Sequence, residues 1–335
     1  MHDPSPKAAI VGIAGPVLTA EEADLLRRLP PAGVILFKRN VDHPAQLIAL
    51  NAALRTALPP GAVIMVDQEG GRVARLRPPH WLSHPAAGAI GALFVRDARA
   101  GRRAAWLQGA LIGAECAAMG FDTVCAPVLD LRLPDMSEVV GDRGFGADAL
   151  IVAELGRELA EGLLAAGVQP VLKHAPGHGR ARVDSHLALP VVEEGDLDRD
   201  LLPFGANADL PWMMTAHVVF RPYDPALPAT LSPIVLEAVI RRRIGFDGVL
   251  VSDDLAMGAL SGPPAARCRA ALAAGCDVAL YCPGGLADNI EVLEAMPALT
   301  EAARHRLVAA RAMAAARRMA LDPARLVAER DGLGI

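Results

Sequence analysis

Five times along the chain, a helix-periodic apolar run closes on a small residue and glycine. A short apolar stretch then follows and ends in a polar residue: "PPAGVILFKRN", "AAMGFDTVCAPVLD", "AAGVQPVLKH", "RIGFDGVLVSDD" and "AAGCDVALYC". This is the pattern of helix, C-cap glycine, strand and loop. Ile151, Leu155, Leu159 and Leu163 fall on one helical face ahead of Gly167, and Ser232-Pro233 supplies an N-cap and a first-turn proline for a helix closed by Gly245. The strands lack polar alternation, so burial on both faces is expected, as in a parallel sheet.

With "AAIVGIAG", "AVIMVDQEG" and "WMMTAHVVF", the expected strands lie near residues 8–14, 33–37, 62–67, 122–128, 169–174, 212–218, 248–253 and 277–282. Eight alternating units predict an α/β fold, a (β/α)8 TIM-type barrel, as a single domain over residues 1–335 with C-terminal helices from about residue 285. A doubly wound open sheet fits less well, because no Gly-rich phosphate turn follows the first strand. Lys38, Asp67, Asp130, Lys173, His174, His217 and Asp253 gather at C-terminal strand ends, where a barrel of this kind builds its active site.

Composition narrows the partners. Apolar residues make up 53% of the chain but aromatics only 4%, so the core must be built of Ala, Leu, Val and Ile. The formal charge of -5 and the lack of a basic stripe interleaved with aromatics argue against nucleic acid. No secretory leader and no membrane-length apolar run is evident, so a cytoplasmic protein without membrane partners is expected. Cys116, Cys125, Cys268, Cys276 and Cys282 form no CxxC pair and read as buried thiols.

The richest chemistry lies in "KHAPGHGRARVDSH", residues 173–186. His174, His178, Asp184 and His186 are competent zinc ligands, but their spacing matches no HExxH pattern and Lys173 would repel a cation; no metal or other cofactor is expected. "APGHGRA" lacks the GK[ST] ending of a phosphate loop. Asp184 and His186 stand two apart, so in an extended segment they project to one side as an acid/base dyad, or else both pin a surface loop. In "VSDDL", Asp253 is in phase to face the barrel mouth as nucleophile or base, with Asp254 a cap or support. In "DQEGGRVARL", Asp67 with Arg72 and Arg75 could chelate neighbouring hydroxyls or form an ordinary ion pair. "GDRGFG" sets Arg143 beside a glycine turn.

Together, "DQEGGRVARL", "GDRGF", "KHAPGHG", "DSH" and "SDDLAM", in this order, resemble the glycoside hydrolase family 3 β-N-acetylglucosaminidases of the NagZ type. The resemblance runs from the first strand to the eighth. It implies a cytoplasmic hydrolase of peptidoglycan recycling, acting on a small carbohydrate: non-reducing GlcNAc is removed from GlcNAc-1,6-anhydro-MurNAc and its peptides. It further implies Asp253 as nucleophile, His186 as acid/base with Asp184 as its dyad partner, and Asp67, Arg75, Arg143, Lys173 and His174 as binders of the terminal GlcNAc. His178 would be a loop anchor. Ala175 departs from the pattern, where the family often carries a bulky residue, which affects loop packing and removes no polar group. Histidine in place of a second carboxylate leaves phosphorolysis as an alternative to hydrolysis, and a non-catalytic sugar-binding barrel is the alternative from another class.

Overall fold

The computed structural model describes residues 5–134, 138–185 and 188–334; His186 therefore lies outside the described residues. The strands are β1 (Lys7–Gly12), β2 (Pro31–Leu36), β3 (Val63–Val66), β4 (Thr123–Val124), β5 (Gln169–Ala175), β6 (Val191–Val192), β7 (Trp212–Thr215), β8 (Val219–Phe220), β9 (Val249–Val251) and β10 (Ala279–Tyr281). Eight of them form one parallel sheet in the order β10-β1-β2-β3-β4-β5-β7-β9, and β6 pairs with β8 apart from it. The helices are α1 (Ala20–Arg28), α2 (Pro44–Ala57), α3 (Ala87–Arg96), α4 (Ala98–Met119), α5 (Ala149–Ala165), α6 (Leu197–Gly205), α7 (Pro264–Ala274), α8 (Leu286–Ala295), α9 (Glu301–Arg317) and α10 (Pro323–Gly332). This is a (β/α)8 barrel in a single domain.

The barrel closes between β9 and β10 through a narrow seam. A single bridge pairs Val251 with Val278, and the Ser252 amide donates to the Val278 carbonyl (3.2 Å). Beyond that point side chains continue the ladder: Ser252 Oγ accepts from the Leu280 amide (2.9 Å) and Asp254 Oδ1 from the Cys282 amide (3.0 Å). Residues 252 and 254 thus stitch the seam, and residue 253, between them, faces the barrel mouth.

Strand alternation divides the apolar residues into two cores. Ile10, Ile35, Met65, Val171, Trp212, Val249 and Leu280 fill the barrel, whereas Val11, Val34, Ile64, Leu172, Met213 and Leu250 pack under the helices. Leu299, Ala303, Leu307 and Ala310 join the interior cluster. On the same stretch, Arg306 reaches Asp277 and Asp247 just before β10 and β9, so α9 plugs the N-terminal end of the barrel. The C-terminal ends of the strands carry a cavity.

Three local expectations need correction. Gly33 is not a helix cap: α1 ends at Arg28, and Gly33 sits inside β2, where a Cβ would stand 2.5 Å from the Val63 side chain and carbonyl. The fourth strand is shorter than expected: Pro127 has no amide to donate, and beyond Val124 the pairing with β5 runs on as single bonds from the Val171 amide to the Ala126 carbonyl (3.0 Å) and from the Lys173 amide to the Pro127 carbonyl (3.1 Å), with an isolated Val128–Lys173 bridge. The helix after Ser232 is π-wound over Val235–Arg243. Ser232 does cap it, accepting from the Val235 amide (3.1 Å), but the ladder then widens, with Ile244 donating to Val239.

Candidate active site

One wall of the barrel mouth comes from the segment after β3. Gly70 (φ 99°) and Gly71 (φ 54°) turn the chain back, and a Cβ at Gly70 would meet the Pro85 carbonyl at 2.4 Å. The Gln68 side-chain carbonyl accepts from the Arg75 (2.7 Å) and Leu76 (3.1 Å) amides, while Gln108 of α4 donates to the Glu69 (3.0 Å) and Pro85 (3.1 Å) carbonyls. The backbone of this turn is therefore held at both ends, and Asp67, Glu69 and Arg75 return to the same surface.

These residues form an ion array with Lys173 of β5 and Arg143, which ends the 3₁₀ turn Gly141–Arg143. Lys173 Nζ lies 2.9 Å from Asp67 Oδ1 and 2.6 Å from Glu69 Oε1. Arg143 grips Glu69 with Nε and Nη2, both at 2.8 Å, and its Nη1 donates to the Val139 carbonyl (2.9 Å). Arg75 Nη2 donates to Asp67 Oδ2 (3.1 Å). Burial alone would raise the Asp67 and Glu69 carboxyls, but the cations outweigh it and hold both below the ordinary carboxylate range. The same carboxylates hold Lys173 and Arg143 well above their usual values despite desolvation. All four are charged at neutral pH, so their remaining N–H and oxygen positions are preorganised for a neutral, hydroxyl-bearing ligand.

Next to this array, Asp130 organises the loop after β5. It is fully buried; its Oδ2 pairs with His174 Nδ1 (2.6 Å) and its Oδ1 accepts from the His174 (3.1 Å) and His178 (2.6 Å) amides. Burial raises its carboxyl, yet His174 and the donated hydrogen bonds bring it down to about 2. With Nδ1 committed to Asp130, His174 has only Nε2 left for a ligand. His178 is buried, and desolvation lowers its imidazole to about 4; its Nε2 meets Ser185 Oγ at 3.1 Å. Ser185 is also fixed through its carbonyl, which accepts from the Ala259 amide (3.1 Å).

The second wall follows β9. Asp253 is half-buried, and its Oδ1 accepts from the Asp254 amide (2.8 Å). Burial would raise its carboxyl, but His174, His217, that amide and Lys173 keep it below the ordinary range. Asp254 behaves oppositely: desolvation raises it, and its Oδ1 is occupied by the Ala256 and Cys282 amides, both at 3.0 Å. His217 is buried with Nε2 2.9 Å from the Asp254 carbonyl and Nδ1 2.8 Å from Thr230 Oγ1. A carbonyl only accepts, so Nε2 carries the hydrogen, and desolvation keeps this imidazole neutral.

Asp67, Arg75, Arg143, Lys173, His174, Asp184 and Asp253 all line one cavity of about 230 Å³. That is below the ~300–1,000 Å³ of sites for drug-sized ligands, so the mouth suits one small ring rather than a chain. Arg72 stands at its edge, paired with Asp142 (3.0 Å) and the Val139 carbonyl (2.9 Å). Glu69 was not singled out in the sequence, although it also lines this cavity, and Asp130 was noted only as a strand-end residue. Their signals were present: Glu69 lies two residues from Asp67 and so on the same side, and Asp130 is a lone charge in the apolar run "APVLDL". Among the described residues, no three His, Cys, Asp or Glu side chains converge in a metal-binding arrangement.

A barrel whose open end holds ionised carboxylates, fixed cations and buried imidazoles around a ring-sized cavity has the build of a sugar-processing enzyme. Residues 10–320 match the glycosyl hydrolase family 3 N terminal domain, and the chain belongs to that family. It is a glycosidase. The β-hexosaminidase of Alkalilimnicola ehrlichii is 42% identical over 283 residues, covering 82% of this chain and 80% of that one. The β-hexosaminidase of Bordetella pertussis is 41% identical, covering 85% and 82%. Among solved structures, NagZ from Neisseria gonorrhoeae in complex with N-trifluoroacetyl-D-glucosamine superposes with a TM-score of 0.86 at 32% identity, covering 98% of each chain; that enzyme has also been solved in complex with zinc ion. No helix among the described residues is long and apolar enough to cross a membrane.

Proposed function

We propose that this glycosidase is a retaining exo-β-N-acetylglucosaminidase that removes non-reducing GlcNAc from GlcNAc-1,6-anhydro-MurNAc and its peptides, in cytoplasmic recycling of peptidoglycan. One observation carries the reading: Asp253, kept ionised by nearby His174 and His217, lines the same ring-sized cavity as the Asp67, Lys173, Arg75 and Arg143 array. Such an array suits a ring of hydroxyls, and the anionic carboxylate suits attack on its anomeric carbon. The likeness to curated β-hexosaminidases supports the acetamido sugar.

In the first step, an Asp253 oxygen bonds to the anomeric carbon as the glycosidic C–O bond breaks, and the departing oxygen takes a proton from His186. In the second, water attacks that carbon and gives its proton to His186, and the Asp253 ester bond breaks, releasing GlcNAc and the free carboxylate. Asp184, which lines the cavity, orients His186 and stabilises its protonated form. Asp67, Arg75, Arg143, Lys173 and His174 bind the terminal sugar. No metal has a step in this scheme.

The test is product analysis on GlcNAc-1,6-anhydro-MurNAc with and without inorganic phosphate. Free GlcNAc in both conditions is expected. GlcNAc-1-phosphate in the presence of phosphate would make the enzyme a phosphorylase, and binding without any product would make it a sugar-binding barrel.

A further inference from the structure

Glu69 holds two of the cations assigned to sugar binding and has no role of its own in the scheme above. Its Oε1 accepts from both Lys173 Nζ (2.6 Å) and Arg143 Nη2 (2.8 Å), and its Oε2 from Arg143 Nε (2.8 Å). The side chain is 6% exposed, so these contacts are shielded from water.

Among the described residues, this arrangement leaves some N–H donors over. Lys173 has three N–H donors; Asp67 and Glu69 take two, and one remains. Arg143 has five; Glu69 takes two and the Val139 carbonyl one, and two remain. The direction of the leftover donors is set by the carboxylate that grips the others. Charge follows the same logic. Asp67 and Glu69 against Arg75, Arg143 and Lys173 give two negatives and three positives, a net of about +1 that the ionised Asp253 on the same cavity brings to about zero; without the Glu69 charge the balance would shift to about +1.

We propose that Glu69 is a positioning and specificity-determining residue: it aims Lys173 and Arg143 at the sugar, and it neutralises enough of their charge that the cavity selects a neutral ring over an anion. This rests on the reading that the array binds the terminal sugar. Glu69 acts through these cations, since both of its oxygens are engaged by Arg143 or Lys173. Without the shared carboxylate, Arg143 would lose its bidentate partner and Lys173 would keep only Asp67, so both would turn toward an available anion and lose their fixed aim.

The experiment compares Glu69→Gln and Asp67→Asn with the wild type, measuring Ki for GlcNAc, KM and kcat on a nitrophenyl GlcNAc, inhibition by sulfate, and Tm. For Glu69→Gln the expected result is a rise of about tenfold or more in Ki and KM with kcat changed less, as for loss of uniform binding, and competitive inhibition by sulfate that the wild type does not show. A folded Glu69→Gln protein with unchanged Ki and no sulfate inhibition would overturn the proposal, whatever its Tm. If Asp67→Asn also left Ki unchanged, the failure would lie with the sugar-binding reading of the array; if Asp67→Asn weakened GlcNAc and Glu69→Gln did not, it would lie with Glu69 alone. Should Glu69→Gln not fold, Glu69→Asp keeps the charge but is one methylene too short to serve both cations, and it must raise Ki for the proposal to stand.

Discussion

Asp253 and Asp254 are adjacent carboxylates, and the structure gives them opposite loads, so truncating each should produce opposite phenotypes. Asp253→Ala removes a carboxylate whose described hydrogen bond is to the neighbouring amide (2.8 Å), and stability should change by no more than about 1 kcal/mol. Turnover should fall by about 10³–10⁶-fold, the range for loss of an attacking group when binding survives. Asp254→Ala strands the Ala256 and Cys282 amides. An unpaired buried donor costs about 1–3 kcal/mol, less at half-exposed Ala256 where water can replace the acceptor, so a loss of about 2–4 kcal/mol is expected, with a smaller effect on turnover. Urea unfolding reads the first quantity and hydrolysis of a dinitrophenyl GlcNAc the second. Azide adds a direct check: small enough to occupy the space left by the Asp253 carboxylate, it should restore aglycone release in Asp253→Ala and yield a glycosyl azide of inverted configuration. If azide instead revives Asp254→Ala, or if Asp253→Ala keeps more than a tenth of wild-type turnover, Asp253 is not the nucleophile.

His186→Ala should retain far more first-step activity on a nitrophenyl GlcNAc than on the natural disaccharide, because an acidic phenol leaves without a proton; Asp184→Ala should show the same selectivity more mildly. Equal losses on both substrates in pre-steady-state measurements would make His186 a loop residue. Treatment with EDTA should leave turnover unchanged, and a loss restored by zinc would contradict the metal-free scheme. His178 is lowered from 6.5 to about 4 in the folded chain, so between those values the unfolded chain binds more protons and stability falls as pH falls; the loss attributable to His178 is about 3 kcal/mol. His217 is shifted in the same direction. His178→Gln should therefore lose less stability between pH 7 and pH 4.5 than the wild type in urea titrations, and an identical decline would exclude His178 as a source.

The parallel barrel was legible because its signals are repeated: buried strands, capped helices and strand-terminal polar residues at regular intervals. The β6–β8 pair was not, since Val191–Val192 and Val219–Phe220 are too short for a period of two to register. The π winding of Val235–Arg243 was invisible for a related reason: its cap, Ser232-Pro233, is that of an α-helix, and the widening shows only in the backbone bonds, with Ile244 donating to Val239 and Phe246 to Ile240. For the site, strand ends located Asp67, Lys173, His174 and Asp253. What they could not give was partnership. That Arg143 and Lys173 share Glu69, or that Asp130 occupies one nitrogen of His174, depends on which loops meet across the barrel mouth, and nothing in the spacing of residues 69, 143 and 173 encodes it.

The stitched seam between β9 and β10 gives the two aspartates their separate fates by parity. Ser252 and Asp254 are tied sideways to Leu280 and Cys282, which leaves every odd position of this short stretch to the interior. Both carboxylates line the cavity, but sliding β9 by one residue would turn Asp254 toward the interior and Asp253 into the suture, exchanging their hydrogen-bonding places without altering a side chain. On the proposed mechanism, which of the two carboxylates meets an anomeric carbon is decided by the phase of a strand and not by the intrinsic acidity of either group, and an insertion or deletion before residue 252 should disable the site more surely than many substitutions within it.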